Sequence, residues 1–149
     1  MEYRQATKDD IELFIELRLE MLRAINSMYE DEEFSQELID NCRDYFLNGD
    51  STTVFAFDGD KPAGCASICY ISTMPTYSHP TGRRANLMNV YVKPDLRRQG
   101  VAQVMVKMLI REAKDRGVTE ISLDATEEGR PLYSVLGFRD SEEGMVLVL

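Results

Sequence analysis

Histidine and cysteine are scarce in this chain, and both scarcities narrow its chemistry. Among 149 residues there is one histidine, His79, and there are three cysteines, Cys42, Cys65 and Cys69. The cysteines lack metal-ligand spacing, and no metal site is expected. Cys65 and Cys69 fall on one face of an extended strand, about 13 Å apart, which is too far for a disulfide. All three are read as small buried hydrophobes in a reducing compartment. With no histidine placed nearby, none is expected to act as a nucleophile. Basic residues are also in deficit: 17 Lys and Arg stand against 26 Asp and Glu, a formal charge of −9. That balance argues against binding nucleic acid or an anionic membrane surface, and is compatible with a cationic substrate. No apolar run approaches a membrane span, and the first residues lack the apolar core of a signal peptide, so a cytoplasmic protein is expected. There is no internal repeat, low-complexity run or linker.

What remains is an ordinary globular composition, 44% hydrophobic and 29% charged, and a length suited to one domain, residues 1–149, with a proper core. Tyr3 to Ala6 reads as a strand. Thr7 or Asp9 can cap a helix whose stripe is Ile11, Phe14, Ile15, Leu22 and Ile25. An acidic loop, Glu30-Asp31-Glu32-Glu33, follows. Ser35 is an N-cap signal for a second helix ending by Asn48-Gly49. Thr52–Phe57 and Pro62–Ile71 are strands joined by a hairpin turn at Asp58-Gly59-Asp60-Lys61. A loop, Ser72 to Arg84, leads to a strand at Leu87–Val92. A helix from Val101, a strand at Glu120–Ala125 and a short helix at Arg130–Leu136 come next. Phe138–Asp140 and Met145–Leu149 are expected to close the chain as a hairpin across Glu142-Glu143-Gly144. This interleaving argues for an α/β fold with a mixed sheet.

The most informative stretch runs from Asn89 to Arg116. Val90 and Val92 share one face of a strand that Pro94 must terminate, because proline cannot donate to a ladder. From Val101 the apolar period becomes helical: Val101, Val104, Met105, Met108, Leu109 and Ala113. The turn between them, Arg97-Arg98-Gln99-Gly100-Val101-Ala102, offers successive backbone N–H groups at a helix N-terminus. Those groups, the helix dipole and the two arginines suit a phosphate or pyrophosphate. The alternative is a plain strand–turn–helix with a surface arginine pair. Neither a P-loop nor the three-glycine dinucleotide fingerprint is present.

Val92-Lys93-Pro94 followed by Arg97-x-x-Gly100-x-Ala102 resembles the central motif of the GNAT superfamily, the Gcn5-related N-acetyltransferases. Arg130-Pro-Leu-Tyr133-Ser-Val-Leu-Gly137-Phe138 resembles that family's late motif, a short helix carrying a tyrosine and ending at Gly-Phe. The resemblance covers Ala85 to the C-terminus; the first half matches in element order. It implies the acyl-CoA N-acyltransferase fold: a mixed, mostly antiparallel central sheet with a splayed pair of strands, flanked by helices. It implies acetyl-CoA as co-substrate. In the family the pantetheine arm bonds to exposed strand backbone, here Val90, Tyr91 and Val92, and the pyrophosphate sits on the turn from Arg97 through Arg98, Gln99, Gly100 and Val101 to Ala102. Thr126 stands where many members have an asparagine that contacts pantetheine, and its hydroxyl has less reach.

The reaction implied is direct transfer of an acetyl group to a primary amine in a ternary complex. The oxyanion would be held by a backbone N–H near Val90. Tyr133 matches the tyrosine that protonates the departing thiolate, a feasible transfer because a phenol pKa of about 10 lies near that of a thiol. The spacing of Leu132, Tyr133 and Leu136 alone reads as a partly buried aromatic on an amphipathic helix. The strand at 85–92 carries no carboxylate, so the general base is open between Asp124, Glu32, Glu33 and a water chain. His79, Tyr70 and Tyr77 are candidates for the acceptor rim or for plain surface. The acceptor is a small-molecule or peptide amine, and the acidic 30–33 loop tilts the choice to a cationic one. The assembly is a monomer or a homodimer. A non-catalytic acyl-CoA-binding sensor is the alternative function.

Overall fold

In the computed structural model, which describes residues 1–149, short-range signals start most of the elements. The first strand, β1, is Glu2–Gln5. Thr7 and Asp10 then form a capping box around the one-turn helix Lys8–Asp10, which runs on into α1, Ile11–Ile25. Ser35 accepts a hydrogen bond from the Leu38 amide at 3.2 Å and so caps α2, Gln36–Asn48, satisfying one of the otherwise free N–H groups. Strands β2, Ser51–Asp58, and β3, Lys61–Ser72, are joined at Asp58↔Lys61, with Gly59 at φ +60 supplying the left-handed position the tight turn needs. Strand β4 is Arg83–Val92, α3 is Val101–Asp115, β5 is Glu120–Ser122 and α4 is Arg130–Val135. No helix is long and apolar enough to cross a membrane.

The five strands lie in the order β1-β2-β3-β4-β5, antiparallel except for the parallel pair β4/β5. Helices cover both faces, as an α/β arrangement requires. On one face Val101, Met105, Val106, Leu109 and Ala113 of α3 pack on Val54, Ala56, Ile68, Ala85 and Leu87. On the other, Phe14, Ile15, Leu17 and Met21 of α1 pack on Phe55, Cys65 and Tyr91. The alternation Val54–Phe55–Ala56 is the period of two that assigns neighbouring residues to opposite faces. Each fully buried Leu, Met or Val contributes about 1.5–3 kcal/mol, so the α3 stripe alone suffices to hold that helix's N-terminus in place against β4.

Two features of β4 shape the space beside it. First, its register against β3 slips between Cys65↔Tyr91 and Ser67↔Met88, so that Asn89 and Val90 together oppose the single residue Ala66. This is a β-bulge, and it reverses the facing of the strand. Ala85 and Leu87 before it and Val92 after it all join the α3-side core, while Tyr91 joins the α1 side. Second, β4 pairs with β5 only at Arg84, Ala85 and Asn86. Beyond Ser122 the two strands part, and residues 87–92 keep one edge unpaired.

The sequence expectations need three corrections. Strand β5 is shorter than Glu120–Ala125 and ends at Ser122. The closing hairpin does not form: after α4, no residue from Phe138 onwards belongs to a strand. Phe138 donates its N–H to Tyr133 O at 3.0 Å, Asp140 pairs with Arg130, and Met145 to Leu149 are 84–109% exposed. An apolar, β-favouring segment becomes a strand only where an edge receives it, and the three-residue β5 presents very little edge. Finally, only Cys65 is fully buried, which pushes its thiol up to about 12; Cys42 and Cys69 are half-buried, and all three are free.

Candidate active site

The gap between β4 and the chain after β5 opens into a cavity of about 810 Å³. That is within the range of small-molecule sites. Asn86 to Val92 form one wall; Asp124, Thr126 and Tyr133 stand on the other. The turn into α3 closes one end, and the face of α1 carrying Arg18, Met21 and Leu22 covers the opposite side. A β-strand whose edge faces such a gap has backbone N–H and C=O groups in need of partners. Because of the bulge, Asn89 and Val90 have no register partner on β3, and neither has one on β5. Val90, Tyr91 and Val92 all line the cavity. The ring of Tyr91, however, is buried on the α1 side, where its hydroxyl donates to Glu20 Oε1 at 2.8 Å. Burial, reinforced by that carboxylate, pushes the phenol up to about 12. Tyr91 therefore has its backbone, and not its hydroxyl, to offer the cavity.

The turn from Arg97 to Ala102 is shaped by left-handed residues. Arg98 lies at φ +63 and Gly100 at φ +80. A Cβ on Gly100 would meet nothing within 4 Å, so glycine is needed there for its backbone angle and not for space. Alternating backbone hand makes consecutive N–H groups converge, and α3 begins at Val101 with its first amides free. Such a concavity at a 15-residue helix suits a phosphate. The two arginines differ. Arg97 is engaged within the chain, through Nε to Val92 O at 2.8 Å and NH1 to Glu128 at 3.8 Å. Arg98 lines the cavity, is exposed and joins none of the ion pairs. Gln99 lies in the turn but outside the cavity lining, whereas Gln103, which the sequence reading passed over, lines it.

Tyr133 reaches the cavity from α4, with its ring edge-on to Phe138 at 5.8 Å. Burial raises its pKa, keeping the phenol protonated. No side-chain hydrogen bond engages its hydroxyl, so the proton is available to something in the cavity. The ring needs Gly129: a Cβ there would stand 3.2 Å from Tyr133 Cε2 and from Thr126 Oγ1. The Thr126 hydroxyl accepts from the Gly129 amide at 3.1 Å, bracing the turn into α4 and leaving its own proton free to donate. Of the carboxylates weighed as a base, Asp124 lines the cavity, and Glu32 and Glu33 do not.

Several rim candidates lie elsewhere. His79 is pinned at the opposite end of β4, with Nδ1 2.8 Å from Thr119 Oγ1 and Nε2 3.2 Å from Glu120. Tyr70 lies under Arg116, whose guanidinium carbon is 3.5 Å from the ring centroid, and donates to Glu112. Tyr77 is fully exposed, and no residue of the 72–84 loop lines the cavity. From the acidic loop, Glu30 borders a separate cavity of about 430 Å³ with Glu16 and Glu20; Asp31, Glu32 and Glu33 border neither. The contribution of α1 was missed by the sequence reading, which assigned its whole apolar stripe to the core. The available signal was Arg18, a cation spaced three and four residues before Met21 and Leu22.

The sequence model of the Acetyltransferase (GNAT) family matches residues 17–138. The thialysine N-epsilon-acetyltransferase of Sus scrofa is 34% identical over 86 residues, 56% of this chain and 51% of that protein. The chain thus spans about half the length of the curated relatives it matches. Among solved structures, a predicted acetyltransferase of Clostridium acetobutylicum with acetyl-CoA superposes with a TM-score of 0.87 at 31% identity, over 99% of this chain and 95% of that one. A GCN5-related N-acetyltransferase of Ralstonia eutropha JMP134 gives 0.80 at 27% identity, over 99% and 97%.

Proposed function

Since the chain belongs to the GNAT acetyltransferase family, whose co-substrate is acetyl-CoA, we propose that it moves an acetyl group from acetyl-CoA to a primary amine, directly, in a ternary complex. One observation carries the proposal. The open β4 edge, the left-handed turn into α3 and the unengaged Tyr133 hydroxyl converge on a single cavity. Residues 1–149 act as one such domain, a reading supported by two cores packed on one sheet.

The assignments rest on the geometry. The backbone of Val90 to Val92 receives the pantetheine arm, with Thr126 donating from the far wall. Arg98, Gly100, Val101 and Ala102 hold the pyrophosphate, and Arg97 shapes the turn through Val92 O. The neutral amine attacks the thioester carbon and a C–N bond forms. The carbonyl oxygen takes up negative charge, which the backbone N–H of Val90 at the bulge stabilises. The C–S bond then breaks, and Tyr133 gives its proton to the thiolate. The proton lost by the amine passes to Asp124, directly or through water. The exposed apolar segment Met145–Leu149 supports a homodimer as the working assembly.

Thiol release from acetyl-CoA, measured across a panel of amines, tests the reading. Tyr133→Phe removes the proton and keeps the ring. Turnover is expected to fall by about 10²-fold or more, with the acetyl-CoA dissociation constant changed by less than about threefold. Binding of acetyl-CoA with no release in the wild-type protein would replace this reading with the sensor.

A further inference from the structure

Arg18 is a cation without an anion. It sits on the cavity face of α1, three and four residues before Met21 and Leu22, which also line the cavity. Its guanidinium has five N–H donors. One side-chain hydrogen bond engages it, NH1 to Asn89 Oδ1 at 3.3 Å. The Asn89 amide is itself held from the other side, by Nδ2 donating to Ser67 Oγ at 3.3 Å, so its oxygen is fixed towards Arg18. Every ion pair in the molecule is made by another residue. Arg4, Arg43, Arg84, Arg97, Arg116 and Arg130 each hold a carboxylate. In a chain with 26 acidic residues, the part-buried arginine beside the bulge is left without one.

The guanidinium is half-buried in the cavity wall, and the donors that Asn89 leaves unused stay open to the cavity and its solvent. A planar carboxylate can take those donors two at a time, in the bidentate geometry that favours arginine. The place also matters. Arg18 is bonded to Asn89, the residue before Val90, where the proposed transfer develops its oxyanion. An acceptor whose amine reaches the thioester carbon therefore brings its next few atoms within reach of Arg18. A polyamine would set a second positive charge against it, and of the acidic loop only Glu30 borders either cavity, and it borders the other one.

We infer that Arg18 determines acceptor specificity by binding a carboxylate, so that the acceptor is an amino acid or another aminocarboxylate. This rests on the acetyl-transfer reading above. The acetyl group of the donor has no charge for Arg18 to meet; a donor with a carboxylated acyl chain is the other source of the same chemistry.

The test measures kcat/KM by thiol release for matched acceptors, lysine against cadaverine and ornithine against putrescine, in wild type, Arg18→Gln and Arg18→Lys. The wild type is expected to favour the amino acid of each pair by about tenfold or more. Arg18→Gln is expected to cut that ratio to below about threefold through a rise in KM, with Arg18→Lys between the two. The lysine variant keeps the charge and guards against a glutamine variant that fails to fold. A wild-type ratio near one, or a ratio that survives Arg18→Gln, overturns the inference and leaves acetyl transfer standing. In a second arm succinyl-CoA replaces acetyl-CoA; an Arg18-dependent preference for it would put the carboxylate on the donor and overturn the acceptor assignment. No release with any acceptor overturns the transfer reading, and this inference with it.

Discussion

Asn89 concentrates several demands in one residue. It lies at φ +57 and is 6% exposed, and its side chain bonds to Ser67 and Arg18. Among residues with a Cβ, asparagine is one of the few that visits the left-handed region readily. Its side-chain amide bridges Ser67 Oγ on β3 and Arg18 on α1 across the bulge. Two costs can therefore be separated by mutation. Asn89→Gly loses the side-chain hydrogen bonds without backbone strain. Asn89→Ala loses them and adds about 1 kcal/mol of strain. The expected order of stability in urea unfolding is Asn, then Gly, then Ala, and an alanine variant as stable as the glycine variant would contradict the strain. Both variants are expected to lower turnover, since the same bulge sets the course of the backbone through Val90.

At the scale of elements, α1 is the part that must be seated correctly, because its inner face lines the cavity. It is tied at both ends. Near its C-terminal half, Glu20 accepts from Tyr91 at 2.8 Å and pairs with Lys93 at 3.2 Å, fastening the helix to β4. Before its N-terminus, Asp10 takes both nitrogens of Arg4 at 2.8 Å and the Thr7 amide at 2.8 Å, fastening it to β1. The Arg4 hydrogen bonds, partly opposed by burial, bring the Asp10 carboxyl down from 3.8 to about 2. A carboxylate lowered on folding stabilises the native state above its unfolded value, and that contribution is lost as pH falls from about 4 through 2. Asp10→Asn is accordingly expected to lower the melting midpoint at pH 7, with the gap to wild type closing between pH 4 and 2. A gap independent of pH would mean that the pair contributes shape and not charge.

For the whole molecule, the outstanding features are the segment Met145–Leu149, five apolar residues in water, and a sheet that ends on the short β5 with nothing paired beyond it. Such a combination favours association with another chain. The charge of −9 opposes indiscriminate aggregation and leaves a defined pairing as the favoured outcome. The full chain is expected to run as a dimer in multi-angle light scattering at micromolar concentration. A chain ending at Gly144 is expected to run as a monomer with its melting midpoint little changed. Equal masses for both would remove the segment from the assembly.

Much of this architecture was legible because it is set by neighbours a few residues apart. The cap at Ser35, the hairpin at Gly59, the stop before Pro94 and the helical period from Val101 are all effects of i to i+4 range. The same holds for the Arg97–Ala102 turn and for Tyr133 on its short helix, so the sequence by itself determined the α/β order and two walls of the cavity. Tertiary structure decided what depends on residues far apart. The bulge that turns Asn89 inward is recorded in the slip against Ala66, and the Asn89 contacts reach 22 residues back to Ser67 and 71 back to Arg18. Whether Arg18 meets a carboxylate, which end of β4 holds His79, and whether an apolar C-terminal segment finds an edge are all questions of which surfaces come together. Periodicity specifies that a residue faces inward; only packing specifies what it faces.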